Sequence, residues 1–459
     1  MGNNRFEVTT NLTKGLASFI KNLKYEDIPP AVIEKAKMMV MQTCGVCICG
    51  AELKQMQDYI DVAKEMSPGA EGKATLWTDG KKVSWEAAVM VAGGMADMLD
   101  WEDCSSTGHP SATVIPMAVV TSEVMHCSGK EMLTAIVAGY EVYQRMAFAA
   151  GTNIHSPNIF GAIAVLGKLL KMSEEDINKA IGVGAASATI SAGVHENTMS
   201  DSMNYIYGYR TESCVAMVKT VLNGIKNMED ALDIPSAYFL HCNFMKLEEV
   251  LDGLGKKWLM TSDLLVKHWP ANVFVQTYAE LASRLATKYK FNPDDIAEII
   301  IKPSVMNRHF SNPNGYKSPT QAQFSIPYGT ACAMYHPVPG AHWYKPETMA
   351  DPRIAALMMK IKTEGFTEQM APFGIKAMID GYHPEKFMTV IMNDGTKYVE
   401  SAFTHPGHPN YMLTRDEFKD RFRLETKNML APEKIEGAID CICHLDEYED
   451  ASVLPSFFY

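Results

Sequence analysis

The first half of this chain is a long series of helix-type segments, and this series constrains the fold more than any other feature. Apolar residues recur every three to four positions, and each segment stops at Gly, Pro or a short polar stretch, as core-facing helices do. The predicted helices are 12–24, 30–50, 52–66, 82–99, 111–126, 129–150, 158–171, 173–194 and 207–224. The sequence therefore predicts an all-helical body.

The pattern changes after Pro270. β-branched or alternating runs predict strands at 297–303, 373–380, 387–392 and 397–403, with Asn393-Asp394-Gly395 as a hairpin turn. Helices are predicted at 275–288, 319–335, 415–430 and 432–440. We therefore expect a mainly α protein with a large helical domain, residues 1–265 and 405–459, and a smaller α+β domain, residues 266–404.

Composition limits the classes of function. The chain has 459 residues, 47% hydrophobic and 21% charged, enough to bury a substantial core. Its net charge of −12 disfavours nucleic acid as a partner, because no basic stripe is present to replace the counterions of phosphates. No apolar run approaches the roughly 18–20 residues that cross a bilayer, and the opening MGNNRFEVTT does not resemble a secretory signal. We expect a cytoplasmic protein with no membrane partner.

Ten cysteines raise the question of a metal or iron–sulfur site. Cys44, Cys47 and Cys49 lie in an apolar, helix-type run, where cysteine behaves as a small hydrophobe, and no second pair at zinc spacing follows. Cys441 and Cys443 precede His444 but have no such companion pair either. We interpret the cysteines as reduced structural thiols and predict no metal.

The segment ADMLDWEDCSSTGHPSATVIP, residues 96–116, carries the strongest chemical signal. Several carboxylates precede His109, and Pro110 then opens a predicted helix. The free N–H groups and the positive dipole end of that helix would face whatever occupies its mouth. The sequence therefore predicts an anion beside His109.

The same construction recurs about fifty residues later in NIHSPNIFGAIAVLGKLLK, residues 153–171. There His155 precedes a Ser-Pro helix opening. A single histidine at such a place is commonly a cap or a surface residue, but two copies of one construction favour a pair of imidazoles that exchange protons.

Several ordered motifs resemble one known family across nearly the whole chain. They are LDWEDCSSTGHPSATVIP, HSPNIFG, KHWPAN at 267–272, QAQFSIPYGTACAM at 321–334, DGTKYVE and HPGHPNYMLTRDEFKDRF. Together they resemble the MmgE/PrpD family. The resemblance implies a helical domain with a smaller α+β lid, a homodimer, and chemistry on small polycarboxylates without a cofactor.

The resemblance also implies a set of site residues. The family's active-site aspartate matches Asp100, its two histidines match His109 and His155, and its tyrosine matches Tyr328. The Lys-x-x-Pro motif of the cleft between the domains matches Lys267 with Pro270.

Three positions depart from the decarboxylating members of that family. Cys104 stands where those members have a threonine, Met203 where they have a lysine, and Asn272 where they have a further histidine. We expect these three side chains to line the substrate site and to change what it accepts.

Proton removal next to a carboxylate needs a base, a proton donor and cationic or N–H groups that face the developing charge. Asp100 or a histidine can be the base, and the other histidine or Tyr328 can return the proton. Lys267 and Arg210 are the candidates for binding substrate carboxylates, with Arg210 replacing the charge that is absent at Met203.

We therefore predict a lyase that adds or removes water at a small di- or tricarboxylate. An epimerase or isomerase is the alternative, because the same groups can return the proton to the other face of the carbon. Decarboxylation is the third interpretation, and a catalytically silent homologue that binds carboxylates is the fourth.

Overall fold

The structure is a computed structural model of the chain, and it is mostly helical with a small mixed sheet. It describes residues 11–67, 72–105, 108–150, 156–188, 200–226, 228–234, 238–241, 250–303, 316–365 and 385–459.

The helices of the first half confirm the predicted pattern closely. They are α1 (Leu12–Asn22), α2 (Pro30–Gly50), α3 (Lys54–Glu65), α4 (Trp85–Asp97), α5 (Ser111–Met125), α6 (Gly129–Ala150), α7 (Asn158–Leu169), α8 (Glu174–Ser187) and α9 (Ser202–Leu222). Two short antiparallel pairs accompany them, β1 (Ala74–Thr75) with β2 (Lys82–Val83), and β3 (Asp103–Cys104) with β4 (Leu265–Val266).

The remaining elements lie mainly after Pro270. The helices are α10 (Leu259–Ser262), α11 (Gln276–Tyr289), α12 (Pro319–Gln323), α13 (Ile326–Tyr335), α14 (Pro346–Met349), α15 (Pro352–Met358), α16 (Arg415–Thr426) and α17 (Pro432–Cys443). The strands are β5 (Ile296–Lys302), β6 (Ile361–Thr363), β7 (Lys386–Met392) and β8 (Lys397–Ala402).

These four strands form one sheet in the order β6-β5-β7-β8. β5 pairs in parallel with β6 and antiparallel with β7, with Ile299 opposite Val390, and β7 pairs antiparallel with β8. Helix α11 packs against β7 and β8. Three predicted strands and the hairpin turn, where Gly395 has φ of +86°, are confirmed, while the fourth prediction at 373–380 lies outside the described residues.

Two predicted helices differ from the structure. The helix predicted at 207–224 begins at Ser202, one turn and a half earlier. The helix predicted at 319–335 is split into α12 and α13, because the Ser325 hydroxyl caps a new helix by accepting a hydrogen bond from the backbone N–H of Tyr328. Of the helix predicted at 173–194, residues 189–194 are outside the described part.

Helix α16, near the end of the described residues, packs against α2. Gly45 of α2 permits this contact, because a Cβ at that position would collide with the Glu425 carboxylate and press on the Phe422 ring. Residues far apart in the sequence therefore share one core. The exact division into a helical and an α+β lid domain stays a prediction.

The cysteines that the structure describes are all buried and free of disulfides. Cys44, Cys47 and Cys49 lie on α2 inside the helical core, as small hydrophobes do. In the described residues no helix is long and apolar enough to cross a membrane.

Helices α4 and α9 approach each other closely at two glycines. A Cβ at Gly93 would lie 2.8 Å from the Thr211 hydroxyl, and a Cβ at Gly208 would collide with the Met90 carbonyl and the Tyr59 hydroxyl. Backbone atoms cannot move aside as a flexible side chain does, so this contact sets the position of α9.

We predict that Gly208→Ala lowers the free energy of unfolding by about 1–3 kcal/mol, because overpacking forces α9 away from α4. Urea unfolding followed by circular dichroism measures this. Gly167→Ala in α7 is the control: its nearest contacts are side-chain carbons of Ile20 and Ile177 at 3.1 Å, so the change should stay within about 1 kcal/mol. Equal effects of the two substitutions would contradict the prediction.

Candidate active site

The short β3–β4 pair brings together two segments that are far apart in the sequence. Asp103 lies opposite Val266, and Cys104 lies opposite Leu265. The backbone N–H of Val266 also donates to the Gly407 carbonyl at 2.8 Å. Lys267 follows directly, so its side chain meets the acidic segment that ends at β3.

The Lys267 ammonium lies between two carboxylates. It donates to an oxygen of Asp100 and to an oxygen of Glu102, and the Lys267 side chain is completely buried. Burial opposes its charge, but the two carboxylates outweigh that cost and raise the pKa of Lys267 above its ordinary value. Lys267 is therefore a fixed positive charge at the centre of the site.

Asp100 occupies a tight turn after α4. Its φ is +47°, in the left-handed region that Asp tolerates better than most residues, and its N–H donates to the Asp97 carbonyl at 2.9 Å. One carboxylate oxygen contacts Lys267, while Oδ2 is buried without a hydrogen-bond partner among the described residues. Burial raises the pKa of Asp100, although Lys267 opposes the rise.

Glu102 has the opposite electrostatic balance. Its side chain is fully buried, which by itself would raise the pKa. Lys267 and His109 outweigh burial and lower the pKa of Glu102 to about 2. Glu102 therefore stays ionised, whereas Asp100 holds a proton more readily than an ordinary aspartate.

The hydrogen bonds of His109 define its tautomer. Nδ1 lies 2.8 Å from Glu102 Oε1 and 3.0 Å from the Asp103 carbonyl oxygen. Both neighbours accept hydrogen bonds only, so Nδ1 carries the proton. Nε2 makes no hydrogen bond within the described part of the chain and presents its lone pair away from Glu102.

At the N-terminus of α5 the sequence predicted an external anion, but a side chain of the protein itself lies there. The Asp103 side chain occupies this position: Oδ1 accepts from the Ser111 backbone N–H at 3.1 Å and Oδ2 accepts from the Tyr140 hydroxyl at 2.7 Å. The Tyr143 hydroxyl accepts from the His109 N–H at 2.8 Å. A carboxylate does lie at the helix N-terminus, as the dipole favours, but it belongs to the protein.

One face of α9 lies beside this cluster. Met203, Tyr207 and Arg210 are buried and spaced four and three residues apart, which places them on the same side of the helix. The rings of Tyr207 and His109 meet edge to face, with their centroids 6.2 Å apart. Burial raises the pKa of Tyr143 and Tyr207 well above the usual range, and the Arg210 charge opposes that rise; burial also lowers the pKa of Arg210. Arg210 therefore lies near these two tyrosines, of which Tyr207 faces the imidazole of His109.

A network of amides fixes the turn that carries Asp100. Asn204 of α9 donates to the Asp97 carbonyl at 2.9 Å, and Gln323 donates to the Met98 carbonyl at 2.8 Å. The backbone carbonyl of Gln323 accepts a hydrogen bond from the backbone N–H of Asn272 at 3.0 Å. Asn272 is thus joined to the site through Gln323, while its own Oδ1 accepts from the Phe274 N–H at 3.3 Å.

Other predicted residues have different surroundings. The Cys104 thiol is buried, which raises its pKa, and donates to the Ser105 carbonyl at 3.2 Å. The Tyr328 hydroxyl donates to the Trp343 carbonyl. This hydrogen bond, rather than a contact with the Lys267 cluster, fixes the position of the hydroxyl. Tyr328 stacks on Tyr344, whose pKa is raised by burial above all, with a smaller contribution from the Asp100 charge. His155 lies outside the described residues.

Asp100, Glu102 and His109 also have the spacing of metal ligands. Each offers one ligand atom, and these atoms lie within 4.8 Å of one another. However, the Lys267 ammonium already contacts both carboxylates and supplies the positive charge there. We assign this central position to Lys267.

Sequence reasoning did not select Glu102, Asp103 or Gln323 as site residues. Asp103 and Glu102 belong to the acidic run that precedes His109. The run alone does not reveal which carboxylate contacts a lysine and which one caps a helix. Gln323 lies in the motif QAQFSIPYGTACAM, in which Tyr328, rather than Gln323, was predicted to be a site residue.

Comparison with known proteins identifies the class of enzyme to which this fold and cluster belong. The MmgE/PrpD N-terminal domain matches residues 14–242 and the MmgE/PrpD C-terminal domain matches residues 269–446. The chain belongs to the MmgE/PrpD family, a family of enzymes that act on carboxylates. The resemblance seen in the motifs is confirmed.

Three curated relatives cover nearly the whole chain. Cis-aconitate decarboxylase of Homo sapiens is 22% identical, covering 97% of this chain and 94% of the relative. Cis-aconitate decarboxylase of Mus musculus is 24% identical, with 97% and 92% covered. A cis-aconitate decarboxylase-like protein of Aspergillus oryzae is 20% identical, with 97% and 96% covered.

Two buried glutamates should give opposite pH dependence of stability. The folded-state pKa of Glu102 is lowered to about 2, so its stabilisation is complete above its ordinary pKa and is lost as the pH falls toward 2. Burial raises the pKa of Glu141 to about 7 despite the Arg145 guanidinium. The folded state therefore binds the proton of the Glu141 carboxyl more tightly than the unfolded state does, and the resulting stabilisation is lost as the pH rises toward 7.

We predict that Glu102→Gln flattens the loss of stability between about pH 5 and 3, and that Glu141→Gln flattens the loss between about pH 5 and 8. Urea midpoints of the wild type and both variants across this range measure the slopes. Each variant is the control for the other. Slopes identical to the wild type in both variants would show that neither carboxylate has the assigned electrostatic balance.

Proposed function

We propose that this protein is a lyase that needs no cofactor and adds or removes water at a small di- or tricarboxylate. The reaction would begin with removal of a proton from the carbon next to a carboxylate. The proposal rests on membership of a carboxylate-acting family and on one geometric observation: two proton carriers are joined to the Lys267 ammonium, Asp100 directly and His109 through Glu102.

Those two carriers have complementary properties. The Nε2 lone pair of His109 has no hydrogen-bond partner among the described residues, and its Nδ1–H points at Glu102, which is ionised at neutral pH and stabilises the imidazolium that forms when Nε2 takes a proton. Asp100 has a raised pKa and an unpartnered Oδ2 among the described residues, so it can deliver a proton. The surroundings push the pKa values of Asp100 and Glu102 apart, so Asp100 can act as the acid while Glu102 stays ionised beside the base His109.

In the dehydration direction, His109 Nε2 accepts the proton from carbon, and the electron pair of the broken C–H bond forms the alkene. The C–O bond on the adjacent carbon breaks, and the proton of Asp100 joins the departing hydroxide to give water. Hydration reverses these steps. Lys267 keeps its proton throughout and stabilises the Asp100 carboxylate left behind.

Substrate carboxylates would bind to cationic groups at the same site. We assign Arg210 to the binding of one substrate carboxylate, because its guanidinium is buried near Tyr143 and Tyr207 and guanidinium groups bind carboxylates in bidentate fashion. Met203 on the same helix face makes the adjoining wall apolar.

Cys104 and Asn272 would shape the rest of the pocket. His155 and Tyr328 keep the roles implied by the family resemblance, as a second proton carrier and a proton donor.

Decarboxylation is the second candidate, because the relatives that cover this chain are named cis-aconitate decarboxylases. The step shared with hydration is the formation and protonation of a carbanion next to a carboxylate. Met203, Cys104 and Asn272 are the positions at which this chain departs from the decarboxylating pattern. Epimerisation uses the same proton carriers when no leaving group lies on the adjacent carbon.

The test is incubation in D₂O with 2-methylcitrate, citrate, cis-aconitate, malate-type and iminodisuccinate-type acids, followed by proton NMR. Deuterium next to a carboxylate together with olefin signals supports the hydro-lyase. Exchange without an alkene would replace it by an epimerase, and release of CO₂ by a decarboxylase. No exchange with any acid would contradict the proposal for this range of substrates, and loss of activity with EDTA would contradict the metal-free mechanism.

We predict that Asp100→Asn and His109→Gln each lower kcat by about 10²–10⁴-fold, because each removes one proton carrier. The matched control is Asp97→Asn. Burial and the Glu102 charge raise the pKa of Asp97 well above its usual range, which favours the neutral carboxyl that an amide resembles, so this substitution should cost little activity. Equal loss in Asp97→Asn and Asp100→Asn would contradict the assignment. Circular dichroism checks that all variants fold.

We predict that Arg210→Met raises KM for a dicarboxylate by about 10–100-fold, since a charge-assisted hydrogen bond contributes about 1.5–3 kcal/mol. Arg210→Lys should recover part of that loss because the charge is kept. Arg284→Met is the control, since Arg284 is partly exposed and pairs with Glu280. An unchanged KM in Arg210→Met would exclude Arg210 from carboxylate binding.

A further inference from the structure

Arg421 is a buried arginine on helix α16, far in sequence from the proton carriers. Only 7% of the residue is exposed. Its Nε donates to Glu425 one turn later on the same helix. A buried guanidinium is costly unless its donors are satisfied, so its remaining contacts define its role.

Those contacts are with the backbone of the acidic cluster. NH1 of Arg421 donates to the Lys267 carbonyl, and NH2 donates to the Trp101 carbonyl at 3.3 Å. Lys267 carries the central ammonium, and Trp101 is the residue between Asp100 and Glu102. One planar fork therefore joins the two chain segments whose side chains make the ion cluster.

Packing reinforces the connection. The guanidinium lies over the Trp101 ring, 4.9 Å from its centroid, and the Trp101 side chain is fully buried. Gln42 of α2 donates to the same Trp101 carbonyl at 2.8 Å. Gly45, one turn further along α2, leaves the space that the Glu425 carboxylate occupies. Glu425 orients Arg421, and Arg421 aligns the backbone.

We propose that Arg421 is a positioning residue that sets the distance between Lys267 and the Asp100–Glu102 segment, and through Glu102 the orientation of the His109 ring. It reaches no reacting atom itself. Its importance for catalysis rests on the proposed function, whereas its positioning of His109 can be measured without any substrate. Lysine cannot replace it, because a single ammonium lacks the planar fork that spans two carbonyls.

The chain offers a matched control two residues away. Arg423 also uses three nitrogens, but its partners are the exposed carboxylates of Glu436 and Asp420, with Nε at 2.7 Å and NH2 at 2.8 Å from Glu436. The variants are therefore Arg421→Met and Arg421→Lys, with Arg423→Met and Arg423→Lys as controls. Glu425→Gln keeps the guanidinium but weakens its orientation, and it serves if Arg421→Met does not fold.

The first measurement is NMR of protein labelled with ¹⁵N-histidine, in which the His109 signals are assigned by their loss in His109→Gln. We expect the His109 Nδ1–H signal to shift and to exchange faster with water in the Arg421 variants, and to a smaller degree in Glu425→Gln. The Arg423 controls should match the wild type. His109 signals unchanged in folded Arg421→Lys and Glu425→Gln would overturn the proposal.

The second measurement is the pH profile of kcat on whichever acid turns over. Arg421→Lys should lower kcat by about 10–100-fold with KM within about threefold, an effect on orientation rather than binding. The alkaline limb should move to higher pH, because an aspartic acid less close to an ammonium loses its proton less readily.

A fall in kcat with the wild-type pH profile would mean a smaller folded fraction and would overturn the positioning role. If no acid turns over, the proposed function fails, and the histidine spectra still decide the role of Arg421.

Discussion

The structure depends on one interaction, the burial of a lysine ammonium between two carboxylates. A buried charge of this kind is stable only when it is paired and hydrogen-bonded, and removing one partner from such a group typically costs about 3–5 kcal/mol. Lys267 meets that condition with Asp100 and Glu102. The cluster holds more carboxyl groups than cations, which is why its carboxyl groups cannot all behave alike. The inequality between Asp100 and Glu102 is the basis of the proposed chemistry.

The surrounding fold supports this cluster from three sides. The Asp103 carboxylate caps α5 and thereby fixes the segment that ends at His109. Helix α9 is pressed against α4 through Gly208 and brings Asn204 to the Asp97 carbonyl. Helix α16 supplies Arg421 from the opposite end of the chain. Each support acts on backbone atoms next to the charged side chains, so the geometry of the site is determined by the core.

Local pattern predicted most helices and three strands, because those elements bury one regular face. The local pattern predicted the start of α9 too late. The first turn of α9 buries the polar residue Asn204, which donates a hydrogen bond to the Asp97 carbonyl, so this turn does not show the usual division into an apolar and a polar face. Of the site, Asp100, His109 and Lys267 were named, and the structure places them together. Glu102 and Arg421 were missed, since nothing in a local pattern reports a partner 165 or 154 residues away.

The wide separation of these partners also determines when the site can form during synthesis. Residues 100–109 leave the ribosome first, Lys267 follows 167 residues after Asp100, and Arg421 follows 154 residues after Lys267. Until then the acidic segment has no buried cation to pair with, and its charges remain stable only in water. We therefore expect the emerging chain to hold these carboxylates in solvent, and the desolvated cluster to be assembled when helix α16 docks onto a helical body that is already translated.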